Sequence, residues 1–241
     1  MQQISGRIFC DDILEGLAIE TKLFPNPYYD FPYLIIDNFL DQETCGAIAQ
    51  DVRRSDDAKQ AMLKTTIHDG VVNPSVDKSI RKTDIYTLDE YRTAQYQEAF
   101  NRHQPQIERF FNVALTTATA IQALEYKQGF FYKRHADDSS ELLNDQGDLV
   151  GFVPVAPQRK ITTVLFSTSH CDTIEGKTAC FSGGELIFNY LFDEKGAQVT
   201  LRPKAGQMVI FPSNPVFSHE VLPVTDGYRL TLVQWHNAIV H

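Results

Sequence analysis

The second half of this chain is cut into short apolar runs by turn residues, and that rhythm limits the fold more than any other feature. Eight candidate strands follow residue 120, at 121–126, 130–135, 161–167, 185–190, 198–202, 207–211, 217–222 and 228–235. Between them stand Asp145-Gln146-Gly147, Gly183-Gly184, Glu194-Lys195-Gly196, Ala205-Gly206, Ser213-Asn214-Pro215 and Asp226-Gly227. These are residues that tight turns favour. Eight short strands so spaced predict a β-sandwich or jelly roll.

Ahead of residue 120 the pattern changes. Residues 41–52 read as a helix with Asp41 as N-cap, following the apolar run 33–36. A second helix is expected over 88–114, where Tyr91, Phe100, Ile107, Phe110 and Phe111 fall mostly at helical spacing, and Pro105 should kink or divide it. The polar stretch 64–84, with Gly70 and Pro74, suits a mobile loop ending in a short strand. The expectation is one domain over 1–241, mainly β with flanking helices: a helical support region, 1–119, covers one face of a β core, 120–236. A chain this long should bury roughly 70–75% of its unfolded surface and needs no disulfide to fold.

The formal charge is 22 − 31 = −9. Such a chain repels a phosphate backbone, and its basic stretches, Arg53-Arg54 and 78–82, are short, so no nucleic-acid partner is expected. No run reaches the ~20 apolar residues of a spanning helix, and residue 1 begins no basic-then-apolar leader. Cys10, Cys45, Cys171 and Cys180 form no C-x-x-C pair. A cytoplasmic protein with reduced thiols and no membrane partner is therefore the expectation. His170, Cys171 and Cys180 match no structural zinc spacing and lack a fourth ligand, so loop cysteines that simply pack are the better reading.

Chemistry gathers at two places. His135-Ala136-Asp137 offers an imidazole and a carboxylate, and in a strand residues i and i+2 share a face. Two histidines and one carboxylate on one side of an iron form a facial triad with open positions for substrate and oxygen. His219 supplies the second imidazole. A three-residue loop at Thr225-Asp226-Gly227 would pair Pro223 with Arg229 and set His219, Val221, Arg229 and Thr231 on one face. An arginine pointing into a barrel calls for an anion, and its planar fork suits the distal carboxylate of a dicarboxylate such as 2-oxoglutarate. Taken singly, His219 reads as a packed core histidine, while for Arg229 a surface strand position is the lesser alternative. Their joint spacing downstream of H-x-D favours the metal site.

Tyr126-x-x-Gly129-x-x-Tyr132-x-x-His135-x-Asp137 resembles the first metal-binding strand of prolyl 4-hydroxylase-type 2-oxoglutarate oxygenases. Residues 161–167 followed by 182–188 resemble their next two core strands. Residues 204–213, then His219-Glu-Val-x-Pro-Val-x-x-Gly-x-Arg229, are similar to the bacterial PKHD-type branch, and 31–41 resembles the family's N-terminal strand and helix more loosely. The resemblance implies a double-stranded β-helix (jelly roll) with N-terminal α-helices packed on one face. It implies Fe(II) held by His135, Asp137 and His219, and 2-oxoglutarate held by Arg229 with Tyr126 and Thr231. L-ascorbate is an accessory reductant such enzymes can take. The implied reaction hydroxylates an unactivated C–H bond, in a prolyl residue of a peptide or protein or in a free amino acid or small metabolite. O2 is consumed; succinate and CO2 are released.

Relatives that place a tyrosine after the H-x-D segment find none here in 161–167, which leaves Thr163 or Thr231 to assist the distal carboxylate. The segments 64–84 and 139–159 are candidates for a lid, and Arg81 for a substrate contact, though a surface position suits Arg81 better. Two other readings remain: a cupin-like metal enzyme that makes no use of 2-oxoglutarate, and a non-catalytic jelly-roll binding module.

Overall fold

The computed structural model describes residues 1–19, 32–55, 58–60, 63–66, 72–75, 77–174 and 179–240, with the backbone alone at 60, 63–66 and 72–75. Among these residues the fold is mainly β, with two α-helices and two large sheets. The larger sheet has eight strands. Its path runs Leu34–Ile36, Met208–Pro212, Ile161–Phe166, Arg229–Val240, Gln122–Tyr126, Asp84–Tyr86 and Lys59–Gln60, and Val113–Ala118 pairs with the far half of Arg229–Val240. The smaller has seven, built around Leu186–Phe192, His219–Val221, Phe131–His135 and Arg81–Lys82.

Strand parity gives the larger sheet two functions. Tyr126, Leu124 and Gln122 stand opposite Arg229, Thr231 and Val233, while Phe166, Val164 and Thr162 stand opposite Thr231, Val233 and Trp235. All of these but Phe166 line one cavity of about 740 Å³. The alternate residues Ala123, Ile161, Leu165, Leu230 and Leu232 turn the other way, into a core cluster shared with Ile48 and Val52 of α1 (Gln42–Arg54) and Tyr96, Ile107 and Phe111 of α2 (Glu90–Phe111). Successive side chains of a strand point to opposite faces, so one strand can serve chemistry and core together.

The helices begin where capping chemistry dictates. Asp41 accepts from the Thr44 N–H at 2.6 Å and Asp89 from the Arg92 N–H at 2.7 Å. Pro105 sits inside α2 without dividing it, and the helix stops at Phe111 because Asn112 takes a left-handed conformation. Tyr91, expected on the apolar stripe, is exposed, and Tyr96 is the residue buried.

Other expectations need correction. Val113–Ala118, placed partly in the second helix and otherwise unassigned, is a strand. The last strand runs on to Val240. Residues 139–159 are no plain loop, since Ser139–Leu143 and Leu149–Pro154 pair antiparallel. In the stretch 64–84, Leu63–Thr66 pairs with Val72–Ser75, while 67–71 and 76 lie outside the described residues. The reduced-thiol expectation fails at Cys171 and Cys180, which form a disulfide that also removes the zinc alternative. Cys10 and Cys45 are free and buried, and burial pushes their thiols up to about 11 and about 12. No described helix is long and apolar enough to cross a membrane.

Candidate active site

The expected hairpin between His219 and Arg229 does not form. Val224–Gly227 pairs with Cys180–Gly183 instead, and His219 and Arg229 lie in different sheets. They still meet, because both sheets turn these residues into the cavity between them. Gly227 does have a positive φ, +80°, as the turn reading required. It serves a close approach to Cys180 rather than a two-strand hairpin.

His135 reaches the same cavity through an irregularity. Tyr132 pairs with Val221, but His135 pairs with His219, so one extra residue is accommodated on the Phe131–His135 strand. Residues three apart in a regular strand face opposite ways. The β-bulge returns His135 to the side of Tyr132, and their rings stack at 3.5 Å between centroids. Asp137 lies past the strand end, so strand alternation does not place it. Its N–H donates to Ser213 O at 3.2 Å, Arg159 Nη1 donates to its carbonyl at 3.1 Å, and Thr162 Oγ1 donates to its Oδ2 at 2.7 Å.

One ligating atom from each of His135, Asp137 and His219 falls within a 4.8 Å group. His135 Nε2 is 3.8 Å from Asp137 Oδ1, and His219 Nε2 is 4.0 Å from Asp137 Oδ2. Each imidazole is held from behind: His135 Nδ1 donates to Lys133 O at 2.9 Å and His219 Nδ1 to Phe217 O at 3.0 Å. A carbonyl only accepts, so both Nδ1 atoms carry the proton and both Nε2 lone pairs face inward. Burial, reinforced by His219, holds His135 well below the ordinary imidazole range and so neutral. Burial raises the Asp137 carboxyl, yet the two imidazoles and Thr162 outweigh it and the net direction is down. Two imidazole nitrogens and a carboxylate at this separation suit a divalent iron.

Arg229 is 1% exposed, and its Nε and Nη1 have no hydrogen-bond partner. Aromatic faces surround it, with Tyr126 at 4.6 Å, Phe166 at 5.1 Å and Phe181 at 5.8 Å from the guanidinium carbon. Burial pushes the guanidinium down to about 10, against a smaller opposing effect of Tyr126. A Cβ at Gly184 would meet Arg229 Cδ at 3.1 Å, so the glycine leaves room for this side chain. A buried cation with orphaned donors requires an anion, and a planar carboxylate matches two of its N–H groups.

Tyr126 and Thr231 also line the cavity, both almost fully buried. Thr163, offered as a carboxylate partner, faces away. It lies within hydrogen-bond distance of Tyr96 Oη and donates to Gln234 O on the helix side of the sheet. Thr162 is the cavity threonine. Sequence could not separate the two, because every residue of Ile161–Phe166 is buried and polarity does not alternate along the strand. Arg81, offered as a substrate contact but set sooner at the surface, lines the cavity, as do Tyr132, Arg159 and Trp235, to which no role was assigned.

Residues 121–237 match the family model of the 2OG-Fe(II) oxygenase superfamily. No curated protein matches the chain. Among solved structures, a Pseudomonas putida prolyl-4-hydroxylase is similar at 23% identity and a TM-score of 0.58, over 86% of this chain and 92% of that one. A Trichoplax adhaerens prolyl hydroxylase, in complex with a hypoxia inducible factor oxygen degradation domain peptide fragment, is similar at 20% identity and a TM-score of 0.55, over 86% and 83%. The viral collagen prolyl hydroxylase of Paramecium Bursaria Chlorella virus-1, in its 2OG complex, follows at 16% identity and a TM-score of 0.55, over 87% and 97%. At these identities the likeness is one of fold.

Proposed function

We propose that this chain is a member of the 2OG-Fe(II) oxygenase superfamily, whose family model matches residues 121–237, and from that membership we read its site residue by residue. The protein is a 2-oxoglutarate- and Fe(II)-dependent dioxygenase that uses O2 as its second co-substrate. In our reading His135, Asp137 and His219 hold the iron, and Arg229 holds the distal carboxylate of 2-oxoglutarate, with Tyr126 and Thr231 beside it. The architecture is a double-stranded β-helix whose one outer face is covered by α1 and α2. The single observation that carries the reading is the orphaned Arg229 guanidinium, buried in the same cavity as the three ligating side chains.

When bound, the iron and 2-oxoglutarate supply oxidative decarboxylation coupled to hydroxylation of an unactivated C–H bond. The chain's own residues fix geometry and exclude water. Lys133 O and Phe217 O hold the two imidazoles in one tautomer, Thr162 orients the Asp137 carboxylate, and Ser213 Oγ, 2.8 Å away, supports Thr162. Tyr132 packs on His135, and burial pushes its phenol up to about 12, so it stays neutral beside the metal ligands. The hairpin of Ser139–Leu143 and Leu149–Pro154 contributes Ser139, Ser140 and Glu141 to the cavity wall and is our candidate lid. The substrate classes to try first are a prolyl residue in a peptide, as the names of the structural neighbours suggest, and a free amino acid or small metabolite.

Anaerobic titration of the apo-protein with Fe(II) and then 2-oxoglutarate tests the reading. A visible charge-transfer band should form with the wild type and not with Asp137→Ala. A wild-type spectrum that stays blank would overturn it.

A further inference from the structure

Three guanidiniums, not one, bring to this cavity a buried N–H that has no hydrogen-bond partner. Arg81 is 8% exposed, and its Nε has no hydrogen-bond partner. Among the described residues no ion pair reaches it, and the Tyr132 ring lies 4.4 Å from the guanidinium carbon. Arg159 spends Nη1 on Asp137 O and lies over Trp235 at 3.9 Å, while its Nε is buried and unpartnered. Arg134, on the same wall, is paired with Glu141 at 2.6 Å and drops out of the count. Asp137 is the remaining carboxylate on the lining. Lys59, also on the lining, is exposed and left to solvent; among the remaining charges three cations against one anion leave +2 inside a chain whose net charge is −9.

The reaction's own components do not cancel this excess. A divalent iron adds two positive charges and a dicarboxylate removes two, so +2 remains. Arg229 accounts for one end of 2-oxoglutarate; Arg81 and Arg159 are then left facing the space where substrate must enter. Both stand one contact away from a metal-ligand residue, Arg81 through Tyr132 to His135 and Arg159 directly on the Asp137 carbonyl. Along the Arg229–Val240 strand, Arg229 and the Trp235 beneath Arg159 are six residues apart, roughly 20 Å at about 3.3 Å per residue. The unpaired pair is therefore centred at the other end of the cavity floor from Arg229. Buried cations without partners are costly, and a guanidinium recovers most from a planar oxyanion.

Building on the proposed function, we propose that the substrate carries a carboxylate, and that Arg81 and Arg159 grip it while its C–H bond lies over the iron site. Arg81 and Arg159 are thus specificity-determining residues, distinct from the co-substrate's Arg229. The carboxylate can come from a free amino or other organic acid, or from an acidic side chain of a peptide.

The test uses anaerobic protein saturated with Fe(II) and 2-oxoglutarate. Its thermal midpoint is followed against sodium benzoate and acetate, with benzamide, acetamide and sodium chloride as controls at equal ionic strength. The acids should raise the midpoint by a few degrees and the controls should not. The effect should fall at least fivefold in apparent affinity in Arg81→Met and to an intermediate level in Arg81→Lys, which keeps the charge but loses the planar fork. Amides acting as well as acids, or an undiminished effect in both variants, would overturn the proposal. So would fading of the charge-transfer band as acid is added, because the acid would then be displacing 2-oxoglutarate. A band that never forms indicts the underlying reading instead. Succinate release driven by free amino acids but not their amides, or by amidated peptides that contain Asp or Glu, identifies the source of the carboxylate.

Discussion

Replacing Arg229 with methionine separates a binding role from a structural one. The guanidinium is fully buried and offers two orphaned donors, so an arriving carboxylate gains a bidentate, desolvated ion pair. Truncating one partner of such a pair costs about 2–5 kcal/mol. At about 1.4 kcal/mol per tenfold, KM for 2-oxoglutarate should rise roughly 30- to 4,000-fold. Stability should move the other way. Ligand at a hundred times its Kd stabilises the wild type by about 2.7 kcal/mol. At about 2–4 °C per kcal/mol for a domain of this size, the Tm gain is roughly 5–11 °C. Arg229→Met should show almost none of that gain, while its ligand-free Tm should match or exceed that of the wild type, because an uncompensated buried cation has been removed. Steady-state succinate assays and thermal melts with and without 2-oxoglutarate read both quantities. A KM within threefold of wild type, or a ligand-free Tm more than about 5 °C lower, would refute the reasoning.

The β-bulge gives a second prediction. Deleting Lys133 should remove the surplus residue and leave His135 two positions from Tyr132, on the same face of a regular strand and still opposite His219, so Fe(II) binding should persist while far-UV circular dichroism reports a folded β protein; loss of iron affinity in the folded variant would count against the bulge's role. A third concerns pH. His236 is 3% exposed and held down to about 4 by burial. The unfolded imidazole takes a proton below about 6.5 that the folded one refuses, so stability is lost as pH falls from about 6.5 towards 4. His236→Gln should reduce the slope of unfolding free energy against pH in that window by up to about 1.4 kcal/mol per unit, read by urea melts, and an unchanged slope would contradict the assignment. Lastly, Cys171 and Cys180 close a loop of nine-residue separation, worth about 2–3 kcal/mol. Dithiothreitol should lower the Tm of the wild type and leave Cys171→Ser unaffected; equal sensitivity would argue against the bond.

All eight strands expected after residue 120 are present, with their bounds moved by a residue or two at most ends. They were legible because turn residues and apolar runs act locally. Pairing is not local. Gly227 signalled a turn and does adopt a positive φ, but tertiary packing gave Val224–Gly227 a partner more than forty residues upstream, which no turn rule contains. The joint spacing of His219 and Arg229 was informative even so, since both side chains reach one cavity across two sheets. Val113–Ala118 was missed because its alternation begins directly at the end of α2 and dissolves into Thr116-Thr117. Arg159 was illegible, and Arg81 was named as a substrate contact yet set sooner at the surface, for a different reason: a lone arginine in a polar stretch looks solvated until coordinates show what surrounds it.

Even-numbered positions of the Arg229–Val240 strand from 230 to 232 meet the helices, and odd ones from 229 to 235 meet the cavity. The ledger of folding and the ledger of chemistry are thus kept on opposite sides of a single ribbon. Substrate preference can drift, or be steered in a library confined to positions such as 233 and 235, without disturbing the contacts that hold the barrel against its helices. A one-residue insertion upstream would exchange the two sets at once, so along this strand length is guarded more strictly than identity.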